Sequence, residues 1–275
     1  MAVAAAEPGA RSELLRPLQR SAFPLATGAL AGVLLAFIVV PLLRLGVATS
    51  PGSLLAEASQ PDLQSAVALS LRDAAAAASL ATILGVPLAY VLARGFPGRP
   101  VLQAVVDLPL AVPHTVAGIA LLFVFGRSGW LGQPLGALGI TFFGTEWGIV
   151  AAMLFVSVPF AVNSVRDALA GLDPQIEHAA RSLGATPWHA FRRVTLPLAA
   201  RGIFTGAVLS YARSISEFGA VIILAYFPMT APVKVYEEYL QNGLDRSAAA
   251  ALLFLLVALF TFIVVRVLTS GRMSR

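Results

Sequence analysis

The chain has no cysteine, one lysine (Lys234) and three histidines (His114, His178 and His189) among 275 residues. Without thiols there is no disulfide framework, no thiolate metal site and no cysteine catalysis. Three histidines far apart in sequence argue against a zinc or haem centre. Charge is scarce too: 12% of residues are charged, against roughly 25% in soluble domains. That is too little polar surface to face water all round. No G-x-x-x-x-G-K-[ST] loop occurs, so the chain does not hold ATP by a P-loop. G-x-S-x-G is missing as well. His114 is the one histidine in an apolar segment, and no serine stands in a nucleophile context, which speaks against an intramembrane hydrolase.

What is present is apolar. Hydrophobic residues make up 58% of the chain and mean hydropathy is +0.82, so the expected class is an all-α integral membrane protein. The net charge of +5 comes from arginines. No basic stripe with interleaved aromatics accompanies them, so no nucleic-acid partner is expected.

Residues 1–22 form a polar basic segment. The first apolar run, 23–47, contains a charge-free stretch from Phe23 to Leu43, long enough at 1.5 Å per residue for one hydrocarbon core of roughly 30 Å. It exceeds a signal-peptide core and no A-x-A site follows, so it reads as an uncleaved first span. Pro51, Gly52, Glu57, Pro61 and Asp62 give residues 48–64 a loop composition. Further spans are expected at about 65–93, 101–125, 147–165, 203–227 and 248–265, six in all. The third holds Asp107, Pro109, Pro113 and His114. Its prolines predict a break, tolerated at membrane depth where it is buried in protein or lines a wet cavity. Residues 228–246 read as a second loop. Alanine runs such as Ala74 to Ala78 suit close helix packing.

Residues 173–197 form a polar elbow between spans four and five. Asp173 can cap one short helix with Pro174 at its first position, and Thr186 a second with Pro187 at its first. Gly184 ends the first helix. A smooth Ala/Gly face with Glu177 at its start suits insertion into a protein groove better than a bilayer surface.

Six spans put both termini on one side. Thirteen of the nineteen basic residues fall on that side: those up to Arg20, Arg94 and Arg99, those from Arg166 to Arg201, and those from Arg266 onward. Arg127, Lys234 and Arg246 fall opposite. The bias places both termini, the elbow and the tail (267–275) in the cytoplasm, in a cell (plasma or inner) membrane.

Arg213 and Glu217 are four apart and can pair. That pair is either structural or part of a pathway in which Arg213 tunes a pore for an anion. Asp107 is either an interfacial carboxylate or part of the path. His114 and Thr115 either line the path or satisfy a carbonyl freed by Pro113. Ser210 and Ser214 share the fifth segment with Arg213 and complete the candidate pathway set.

The elbow resembles the coupling motif of importer-type ABC transporter permeases, E-A-A, then glycine, then I/V-x-L-P. Glu177-His178-Ala179-Ala180, Gly184, Val194 and Leu196-Pro197 carry the likeness, with His178 as the departure. Asp107-Leu108-Pro109-Leu110-Ala111-Val112-Pro113-His114-Thr115 and Ser214-Ile215-Ser216-Glu217-Phe218-Gly219 look like the oxyanion branch. Ala225-Tyr226-Phe227-Pro228-Met229-Thr230 with Tyr236-Glu237-Glu238-Tyr239 looks most like molybdate/tungstate permeases. The resemblance implies a type I importer permease domain over about 65–266, not an enzyme, acting as a homodimer in the lipid bilayer. Its partners would be two cytoplasmic ATPase subunits, which hold the ATP and Mg²⁺, and an external oxyanion-binding protein. It needs no cofactor or metal of its own. It also implies that Glu177, His178, Ala179, Ala180, Arg181, Leu183, Gly184, Ala185, Leu196 and Pro197 meet the ATPase. Molybdate and/or tungstate is the expected cargo; a sulfate or thiosulfate permease, or a channel or scaffold without ATP coupling, are the alternatives.

Overall fold

The structure is a computed structural model that describes residues 10–270, with side chains for residues 24–267. Most of the basic N-terminal segment and of the tail, with Arg272 and Arg275, lies outside the described residues or outside the described side chains. The described chain divides into two compact units, one ending at Ser50 and one from Pro51 onward.

The first unit is a single helix, α1 (Ala10–Ala48). Its stretch Pro24–Ala48 is long and apolar enough to cross a bilayer, in the place expected of the first span.

The second unit is helical throughout its regular structure. It opens with α2 (Pro51–Ala58) and α3 (Pro61–Ala93). The expected loop over 48–64 is thus mostly helix. Pro51 and Pro61 stand at the first helical position, where the missing N–H costs nothing. After the Arg94–Gly98 turn come α4 (Arg99–Ala111) and α5 (His114–Phe125), bent by 112° at Val112-Pro113. Thirteen and twelve residues reach only about 20 Å each, so neither piece crosses a bilayer alone. A short α6 (Gly132–Ala137) precedes the long α7 (Glu146–Ala170).

The elbow follows as α8 (Pro174–Ser182) and α9 (Pro187–Ala190), a π-helical turn over Phe191–Thr195, and α10 (Leu196–Leu198). α11 (Ala200–Ile215) leaves at 69° to the segment Pro187–Leu198. The expected span 203–227 is broken: α11 stops at Ile215 and α12 (Gly219–Leu224) restarts beyond Glu217. α13 (Ala231–Ser270) begins inside the expected loop 228–246 and is interrupted at Gly243, where φ is 74°. Lys234 pairs with Glu237 at 3.0 Å and Glu238 at 3.1 Å, one turn away, which supports a helix in a sequence rich in charge. Among the described residues, four helices are long and apolar enough to cross a membrane, or up to six when each bent pair counts as one span.

The core lies where α3, α7 and α11 pack. Ala74, Ala77 and Ala78 of α3 are buried in one cluster with Ile149 and Met153 of α7, and Ala81 is buried as well. A Cβ on Gly206 of α11 would lie 3.0 Å from the Ala161 carbonyl of α7. Small residues let these backbones approach, as helices must where lipid supplies no hydrophobic drive between them.

Candidate functional site

The elbow forms as its caps dictate. The Asp173 carboxylate accepts the Gln175 N–H at 2.9 Å, and the Thr186 hydroxyl accepts the His189 N–H at 3.2 Å. Gly184 turns the chain at φ +93°, a left-handed conformation that side chains resist. Leu183 is 90% exposed at this tip. His178, Ala179, Arg181, Leu183, Gly184 and Pro197 face solvent, while Ala180, Ala185 and Leu196 are partly covered.

Glu177 does the opposite. It is 6% exposed and turns inward. Tyr90 of α3 donates to its Oε1 at 2.9 Å and Thr195 of the π-helical turn donates to Oε2 at 2.9 Å. Arg94, at the end of α3, donates to the same Oε2. Burial alone would push this carboxyl up. The Tyr90 and Thr195 hydrogen bonds and the Arg94 charge outweigh it and hold the group below its ordinary value of 4.5. Tyr90, Arg94 and Thr195 did not stand out in the sequence. The available signal was a tyrosine and an arginine four apart at the end of an apolar helix.

A second cluster sits at the two breaks. Arg213 Nη2 lies 2.6 Å from Glu217 Oε2 and 2.7 Å from His114 Nδ1, and His114 Nδ1 lies 3.0 Å from the same Glu217 oxygen. Glu217 Oε1 accepts the Ala220 N–H at 2.7 Å, which caps α12. The carboxylate is fully enclosed, whereas His114 is about half exposed. Two glycines let the half-helices meet. A Cβ on Gly219 would fall 2.6 Å from His114 Cβ, and one on Gly118 2.8 Å from Ile223 Cβ. Pro113 and Thr115 flank His114 and are exposed.

The remaining candidates divide. Asp107 does not join this cluster. It accepts from Gln103 at 2.8 Å and Asn163 at 2.7 Å, and Arg166 donates to Asn163 at 3.0 Å, a polar link between α4 and α7. Gln103 and Asn163 were not anticipated, because single amides in apolar segments carry no pattern. Ser210 and Ser214 are fully buried against α7; Ser210 donates to the Ser157 carbonyl at 3.0 Å. The α11 face that carries them is thus the face that packs on α7 in this chain. Among the described residues, no group of three His, Asp or Glu side chains could hold a metal ion.

Broken apolar helices with ionisable groups at the break, and a capped polar elbow between apolar segments, mark a multi-pass membrane protein. The chain belongs to the binding-protein-dependent transport system inner membrane component family, which it matches over residues 81–273. It is 40% identical over 241 residues to a Thermococcus kodakarensis protein named molybdate/tungstate transport system permease protein WtpB, covering 86% of this chain and 92% of that one. It is 36% identical to a Chlorella vulgaris protein named probable sulfate transport system permease protein cysT, covering 77% and 81%. Its fold is similar to a chain of a bacterial alginate ABC transporter, with a TM-score of 0.72 at 18% identity, covering 92% and 95%.

Proposed function

We propose that this chain is the multi-pass membrane subunit of an ATP-binding-cassette importer that carries molybdate and/or tungstate into the cytoplasm. The observation that supports it most is that the family match over 81–273 contains the elbow and both helix breaks, and that the Thermococcus relative bears that name over 92% of its length. The reading extends to a homodimer, with two cytoplasmic ATPase subunits gripping the elbows and an external oxyanion-binding protein opposite. ATP and Mg²⁺ belong to the ATPases. The arginine bias supports termini and elbow on the cytoplasmic side. The likeness to a named sulfate permease supports a sulfate carrier as the second reading, at lower identity and coverage.

In this reading ATP binding closes the ATPases, draws the two elbows together and switches the path outward; hydrolysis resets it. The path runs past the breaks at Val112-Pro113 and Ser216–Phe218, where irregular backbone is tolerated only beside protein or water. Arg213 is paired there with Glu217, so this cation does not hold an anion tightly. Selectivity then rests with the external protein. The test is isotope uptake into proteoliposomes containing this chain and its ATPase, fed by the external binding protein, with competing oxyanions. Competition by molybdate but not by sulfate is expected; equal competition by sulfate favours the second reading.

A further inference from the structure

We infer that Glu177 is a transmission residue rather than a contact with the ATPase, and that Tyr90, Arg94 and Thr195 are the positioning residues that receive the elbow's movement. This rests on the proposed ATP-coupled transport.

The buried carboxylate is committed within this chain, with three of its roughly four acceptor sites taken. Tyr90 takes Oε1, and Thr195 and Arg94 share Oε2. The residue is buried, and a charge taken from water needs this full set of donors. The receiving side is itself braced. Arg94 donates to the Tyr90 hydroxyl at 2.6 Å and its guanidinium lies 4.4 Å above the Tyr90 ring. The Phe191 ring packs edge-on against Tyr90 at 4.8 Å. One carboxylate on α8 therefore ties together the end of α3 and the π-helical turn that leads into α11.

Both tied elements run into the core. α3 continues for 33 residues, and at its far end Ser70 accepts the Ala231 N–H that starts α13, at 2.7 Å. From Tyr90 to Ser70 is about 30 Å at 1.5 Å per residue. A displacement of α8 that keeps the carboxylate paired must move the ends of α3 and α11 with it. The outward face of the elbow, with His178 and Leu183, is left to meet the partner.

The test uses the assembled complex of this chain with its ATPase in proteoliposomes, fed by the external binding protein, with tungstate as the probe. Tyr90→Phe removes one hydroxyl and leaves the ring on Phe191; Thr195→Val removes the other and keeps the shape. Three quantities are read: ATPase retained on purification, ATP hydrolysed, and tungstate imported per ATP. The expected result is wild-type retention and hydrolysis with import per ATP down about tenfold, the factor for one lost hydrogen bond to a charged group. Unchanged import per ATP in both variants overturns the inference. So does loss of the ATPase from both, which would make Glu177 and its partners a brace for docking only. Failure of the unsubstituted complex to import with ATP strikes the transport reading itself and is visible without any variant.

Discussion

Arg213 and Glu217 meet at 2.6 Å although the helix that carries Arg213 ends two residues before Glu217. The pair persists because Glu217 Oε1 also caps α12 through the Ala220 N–H, which fixes the carboxylate next to the guanidinium. The cation at the break is thus held by the protein itself and shared with His114.

Glu217→Gln leaves Arg213 without a counter-charge and available to an anion. Tungstate binding to the purified complex, followed by equilibrium dialysis, is expected to tighten roughly tenfold, about 1.4 kcal/mol. Uptake slows in step. Arg213→Gln combined with Glu217→Gln removes both charges and returns binding toward the wild-type level; equal binding in all three proteins contradicts this role.

Gly184→Val tests the elbow tip. No atom lies within 4 Å of the position a Cβ would take, so the cost is purely the left-handed backbone, about 1–2 kcal/mol. The variant should insert and fold normally yet lose much of its ATPase on purification. Full retention of the ATPase with normal uptake would remove the elbow from the coupling account.

The Glu177 carboxyl has a folded pKa below its ordinary value. Its contribution is therefore present above the unfolded pKa and lost as pH falls through the depressed folded value. Protection of the α8 amides, exchange relative to the intrinsic rate at each pH, is expected to hold at neutral pH and to fall only below about pH 4.5, the ordinary value. In Glu177→Gln that acid-dependent step disappears. A step of the same size in the variant would assign it to another group.

Gly118→Val places a side chain where a Cβ alone would fall 2.8 Å from Ile223 Cβ and 3.0 Å from the Ala220 carbonyl oxygen. Overpacking of this kind costs about 1–3 kcal/mol. Melting of the purified complex should fall, whereas Gly136→Val, at a site with no atom within 4 Å, should leave it unchanged.

Much of the fold was legible because proline and the caps announce helix starts. Asp173-Pro174 and Thr186-Pro187 gave the elbow correctly. The same rule at Pro51 and Pro61 was overridden by loop composition, and two helix starts were read as a loop. The i,i+4 spacing anticipated the Arg213–Glu217 pair, but not the break between them, since nothing local to Ser216 forbids a helix. Glu177 was legible as part of the elbow; its inward turn was not, because Tyr90 and Arg94 are more than 80 residues away. The fate of Ser210 and Ser214 depended on which face of α11 meets α7, and an apolar helix in lipid does not advertise that face in its sequence.

The central claim is ATP-driven import of molybdate or tungstate through this chain. The most direct test is uptake of labelled tungstate by proteoliposomes containing the chain and its ATPase, with the external binding protein supplied. The account predicts uptake that requires ATP, ATPase and binding protein together and is blocked by excess molybdate. Uptake that proceeds without ATP or without the ATPase would contradict it.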